Sequence, residues 1–232
     1  IRKLISDMFL ALLDTRILVK VSDRNIISKL GILGKLFVIK ILLSFLFLGI
    51  IKFFGVGNNN LVESMLAEFD VTLVLLIIVL VSPLYEELIF RLPLVYNPIY
   101  LGSSIFLSFY FIGGKYIFGT GYLTIDSYFL PKLILSIVMG IAVFFFFKKN
   151  KNIKVVWKGN FKILYITSIV LFGLAHIRNF DFSWSQFYLV PLLISTHLLA
   201  GVILNYIRFR LGFIYCVVFH GFNNLIAFLF NL

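Results

Sequence analysis

Hydrophobic residues in this chain fall in long blocks, not in the alternating or one-face stripes of a soluble fold. The blocks run over about 33–54, 71–93, 97–113, 128–147, 161–180, 186–206 and 212–231. Several reach the roughly 20 apolar residues that a helix needs to cross a bilayer. The pattern predicts an all-α, polytopic transmembrane helix bundle of about seven spans, or eight if the first 30 residues hold another. Those first residues scatter Arg2, Lys3, Asp7, Asp14, Arg16, Lys20, Asp23 and Arg24 among apolar positions. That reads as one or two amphipathic helices on the cytoplasmic face, not as a cleavable signal peptide. With no linker, low-complexity tract or internal repeat, residues 1–232 read as a single integral-membrane domain.

Composition strengthens this picture. The chain is 61% hydrophobic and 13% charged, against about 25% charged in soluble domains. It holds 28 Phe and 11 Tyr, more apolar surface than one soluble core of this size can hide. The net charge of +11 does not point to nucleic acid, because the basic residues lie between the apolar blocks, as the positive-inside rule requires. The densest basic cluster, KKNKNIKVVWKGNFK (148–162), has six lysines and no acid. It falls on the cytoplasmic side together with the N-terminal segment and Arg208/Arg210, while the links 58–70 and 181–184 fall outside. The Lys-, Asn-, Ile- and Phe-rich composition points to an AT-rich bacterial genome, and so to a multi-pass protein of the bacterial inner membrane. The single cysteine, Cys216, has no internal disulfide partner and reads as a packing residue.

Against this background the polar residues inside apolar blocks stand out. In SPLYEELIFRLPL (82–94), Glu87 and Arg91 are four apart with the acid first, the favourable order for a same-face ion pair. Glu86 lies about 100° further round, less well placed for that arginine. A desolvated carboxylate there is a stronger base than a solvated one, although a pair of acids also fits the cytoplasmic end of a span. In LFGLAHIRNF (171–180), Phe172 and His176 share a face; this histidine reads either as a packing residue or as a catalyst. In FHGFNNLIAF (219–228), His220 and Asn224 share a face. The pair reads either as glue between helices or as two N–H donors for a developing oxyanion. His197 has no motif partner and reads as a packing or lipid-interface residue, and Tyr85 and Tyr96 as interfacial aromatics. Ionisable residues inside a membrane are by default functional. Taken together, Glu86 and two histidines are the parts for hydrolysing an acyl bond with an activated water. Counting residues puts Glu86 and His176 at different depths, on the order of 15 Å apart. Tilt, a break near Pro83 or a re-entrant segment would remove the mismatch.

In that order, EExxxR at Glu86-Glu87-Arg91, FxxxH at Phe172-His176 and HxxxN at His220-Asn224 resemble the motifs of the CPBP group. This is also called the ABI family, of CAAX proteases and bacteriocin-processing enzymes. The lead-in PLLISTHLLAGVILNYIRFRLGFIYCVVFHGFNN resembles it too, and the likeness covers about 80–228. The resemblance implies an intramembrane endopeptidase of the glutamate type. Glu86 with His176 would activate water and His220 with Asn224 would stabilise the oxyanion, while Glu87, Arg91 and Phe172 would be supporting residues. It implies no cofactor, and a membrane-embedded, lipidated or hydrophobic peptide as substrate. Leu92 stands where the family usually has glycine after the arginine.

Other classes fit parts of the pattern. His176, His220 and Glu86 could instead hold a catalytic zinc, though no H-E-x-x-H occurs. A non-catalytic scaffold or bacteriocin-immunity-type protein would use the same cavity for binding. A proton-coupled transporter would use Glu and His as a relay, but such proteins usually show repeated halves. No G-x-S-x-G elbow and no pair of intramembrane aspartates is present.

Overall fold

The computed structural model describes residues 2–14, 25–58, 61–119, 126–181 and 183–230. The charged positions Arg16, Lys20, Asp23 and Arg24 lie outside the described residues, as do Asn59, Asn60 and Phe182 of the two outer links. The fold is all-α. In chain order its helices are α1 (Arg2–Leu13), α2 (Ile26–Phe53), α3 (Leu61–Glu68), α4 (Val71–Leu76), α5 (Ser82–Phe90), α6 (Pro98–Leu107), α7 (Gly114–Ile117), α8 (Phe129–Lys149), α9 (Lys151–Gly159), α10 (Phe161–Ala175), α11 (Val190–Leu193), α12 (Ser195–Arg210) and α13 (Phe213–Leu229). π-helical turns at Ile77–Val81 and Ser108–Gly113 join α4 to α5 and α6 to α7. The two-residue segments β1 (Gly57–Asn58) and β2 (Phe180–Asp181) pair antiparallel.

Among the described residues four helices are long and apolar enough to cross a membrane: Ile26–Phe53, Val71–Phe90, Phe129–Lys149 and Ser185–Arg210. The bent pair Asn152–Gly159 and Phe161–Ala175 makes a fifth if it counts as one crossing. Pro98–Gly113 and Phe213–Leu229 are apolar but shorter. Length and composition therefore give four or five crossings where the apolar blocks predict about seven. Part of the difference is local: the block expected at 161–180 stops being α-helical at Ala175, and a short 3-10 turn at Ile177–Asn179 and the start of β2 at Phe180 take its place.

The described residues pack as two compact units, one of residues 1–84 with 165–232 and one of residues 85–164. In the first, α1 is amphipathic as expected. It buries Met8 and Ala11 completely and sets Asp7 4.0 Å from Arg210 at the end of α12. α2 begins on an Asn25 cap whose Oδ1 accepts from Ser28 N at 2.9 Å, supplying one of the partners that a helix start lacks. Its contacts with α13 advance together: Lys29 lies over Tyr215, Phe37 meets Phe222 and Phe45 meets Phe230. The two helices therefore run parallel. α10 and α12 run antiparallel, held by the fully buried Asn205, whose Nδ2 donates to Tyr165 O at 3.0 Å. α12 turns into α13 at Gly212, whose φ of +116° suits glycine. Cys216 then tucks under α12, Sγ 3.2 Å from Leu204 O. A small core of Ile51, Val56, Phe180, Leu189 and Leu193 closes the end of this unit near the β1–β2 pair.

The second unit is built on an antiparallel helical hairpin. A Cβ on Gly102 would lie 2.8 Å from Gly140 O and 3.1 Å from Phe144 Cβ. One on Gly140 would lie 2.9 Å from Phe106 Cβ and 3.0 Å from Gly102 O. Each glycine thus lets the other helix's backbone approach, the small-residue packing that membrane helices use where lipid removes a hydrophobic drive. The same register continues to Gly114, which faces the stem of Lys132. Lys132 is 1% exposed, and its Nζ lies 4.7 Å from the Tyr110 ring centre.

Candidate functional site

The helix that carries the glutamates starts at Asp70, whose Oδ1 accepts from Thr72 N at 2.8 Å and Leu73 N at 3.1 Å. Its regular winding stops at the π-helical turn Ile77–Val81, a local irregularity beside Pro83, where a break is one of three ways, with tilt and a re-entrant segment, to bring the expected depths together. Proline has no N–H and its ring crowds the carbonyl four residues back, here Val79, so the helix widens instead of kinking sharply. Across the turn Ser82 N bonds Ile77 O. The next bond of that pattern would run from residue 83 to Ile78 O, and Pro83 cannot donate it. The missing donor comes from α13, where Asn224 Nδ2 donates to Ile78 O at 3.1 Å. α13 approaches this turn so closely that a Cβ on Gly221 would overlap Val79 O.

Beyond the turn, α5 presents Glu86, Glu87 and Arg91. The ion pair predicted from their spacing is present: Arg91 Nη1 lies 3.4 Å from Glu87 Oε1 with both side chains 0% exposed. Glu86 is 8% exposed. Around them Ser104 Oγ donates to Ile89 O at 2.7 Å, and Tyr85 stacks on Phe111 at 4.3 Å. Tyr96 donates from its hydroxyl to Phe147 O at 2.9 Å. Both tyrosines, expected as interfacial aromatics, pack within their unit and stay half-buried.

His176 does not sit within a span but one residue past the end of α10, where carbonyls lack helical donors. Its Nδ1 lies 2.7 Å from Phe172 O. A carbonyl only accepts, so Nδ1 carries the proton, and in the neutral ring Nε2 holds the lone pair. The Phe172 ring, 1% exposed, touches two imidazoles: His176 at 4.7 Å between centres and His220 at 5.8 Å, edge on. His197 joins them, stacked on His176 at 4.3 Å. Of the two readings of His197, packing or lipid interface, these contacts favour packing, with a partner that no motif announced. All three histidines of the chain belong to one aromatic cluster, and their meeting arises from the packing of the end of α10 against α12 and α13, which no local spacing announces.

The structure therefore brings Phe172, His176 and His220 together in the first unit, adds His197, and keeps Glu87 on Arg91 in the second, where Glu86 also lies. Asn224 is anchored on the π-helical turn, leaving its second amide N–H as the donor for any oxyanion; its Oδ1 lies 3.5 Å from Asn223 Nδ2. Among the described residues no three His, Cys, Asp or Glu side chains converge as a metal-holding group. Comparison with protein-family models, with curated proteins and with solved structures finds no match in any of the three.

Proposed function

We propose that this chain is an intramembrane endopeptidase of the glutamate type, akin to the CAAX-type prenyl endopeptidases whose motifs it resembles, in a bacterial inner membrane. The observation that carries this reading is the convergence of His176 and His220 on the buried Phe172 ring, with His176 held in the tautomer whose Nε2 is basic. An imidazole inside an apolar helix, as His220 is, is costly unless it works. The parallel course of α2 and α13 supports an odd number of crossings from the first to the last, which a seven-span topology shares with a five-span one.

In the proposed reaction Glu86 accepts a proton from a water that Nε2 of His176 orients, and the resulting hydroxide attacks the scissile carbonyl carbon. The oxyanion takes hydrogen bonds from His220 and from the second amide N–H of Asn224. When the C–N bond breaks, the proton held by Glu86 passes to the leaving amine. Glu87 and Arg91 cancel each other's charge and steady α5. The substrate is a hydrophobic or lipidated peptide.

The test is cleavage of an internally quenched apolar peptide by the full chain in liposomes. Glu86→Gln and His176→Ala should each lower the rate by about 10²-fold or more, the usual contribution of a general base. Wild-type rates in Glu86→Gln or His220→Ala would exclude the mechanism and leave a non-catalytic, binding role.

A further inference from the structure

The lysine cluster at 148–162 is not used by that reaction, and the structure gives it a neighbour. Beside the Gly102–Gly140 crossing runs an open groove of about 420 Å³, floored by the two glycines and walled by Ile99, Ile137, Ile141 and Phe145. Four of these side chains are large, apolar and exposed: Ile99 60%, Ile137 42%, Ile141 52% and Phe145 49%. The groove extends about 12 Å along α8, from residue 137 to residue 145, at 1.5 Å per residue. Its upper end lies at the C-terminal turn of α8, where Lys148 and Lys149 are exposed. Lys148 Nζ is 5.3 Å from the ring centre of Phe144, itself a groove residue.

α9 is fastened to the same corner. Trp157 packs on Phe147 at 5.7 Å and on Tyr96 at 6.1 Å between ring centres. On a helix, Lys154 and Lys158 are neighbours one turn apart, and both are exposed. Ile153 and Trp157 take the other side. No acid occurs between residues 148 and 162. The corner thus offers uncompensated cations directly above an apolar slot.

We infer that this corner is a binding site for an anionic phospholipid, with one acyl chain in the α6–α8 groove and the headgroup phosphate at Lys148 and Lys149. Charge complementarity selects the occupant: a free fatty chain would leave the lysines unmatched, and a soluble anion would leave the groove unfilled. Basic residues just beyond a membrane helix are favourably placed for anionic lipid.

Native mass spectrometry of the full chain, released from membranes holding equal phosphatidylglycerol and phosphatidylcholine with matched acyl chains, tests this. The wild type should retain phosphatidylglycerol preferentially. Lys148→Gln with Lys149→Gln should weaken retention by roughly fivefold per lysine. Ile141→Trp, which narrows the groove, should abolish it, while Val138→Trp, on an exposed position of α8 outside the groove, should leave it unchanged. Equal retention of both lipids overturns the inference. So does loss in the lysine variant without loss in Ile141→Trp, which leaves only diffuse attraction to the basic helix. Undiminished retention in the lysine variant overturns the assignment of the headgroup.

Discussion

Asn224 shows how one side chain can make another residue's backbone tolerable. Pro83 removes the donor that Ile78 O would use across the π-helical turn, and Asn224 replaces it from a helix 146 positions away. Asn224→Ala should destabilise the protein by about 1 kcal/mol, at the low end of the cost of an unmet carbonyl because this one is only part-buried. Pro83→Ala restores an N–H at that place, so the loss from Asn224→Ala should shrink in the Pro83→Ala background. A double-mutant cycle by thermal unfolding reads the coupling, and additive effects would show that the amide does not serve the turn. Arg91→Ala leaves Glu87 charged and fully buried, which should cost about 3–5 kcal/mol. Replacing both by Gln and Met should cost clearly less. Both predictions concern residues whose partners differ in how visible they are. Glu87 and Arg91 are four apart, so helical spacing alone announces their pair. Asn224 and Pro83, or His197 and His176, lie on separate helices, and only the folded chain joins them.

Among the elements, α13 is constrained on two sides. It runs along α2 through phenylalanine pairs on one side and meets the π-helical turn through Gly221 and Asn224 on the other. Gly221→Ala would set a methyl against Val79 O, and an overpacked contact of that kind typically costs about 1–3 kcal/mol. The expected result is a lower unfolding temperature with helicity retained by circular dichroism. The apolar blocks made these helices legible, because block length is what lipid demands of a spanning helix. Their ends were less legible. The block that includes His176 reads as continuous to residue 180, yet α-helix ends at Ala175. Arg178, Asn179 and Asp181 mark the loss of apolar character after His176, but a window of hydropathy does not fix the residue at which the helix stops. The π-helical turn before Pro83 was foreseen only as some form of break, one option of three, since proline dictates a lost donor but not which local remedy the helix adopts.

For the whole molecule, the proposed chemistry depends on water activated by Glu86 and an imidazole, with no step assigned to a metal. Exhaustive chelation is accordingly expected to leave peptide cleavage within about twofold of the untreated rate, a small change against the tenfold that 1.4 kcal/mol of barrier represents. A loss that returned on adding zinc would favour the three-ligand alternative instead. The alignment of α2 with α13 has a practical outcome of its own. Two helices that cross a bilayer in the same sense have their leading ends at one surface and their trailing ends at the other. A reporter joined ahead of Ile26 and another joined behind Leu229 should therefore light up in opposite compartments, so that a protease added to sealed cells removes one tag and spares the other.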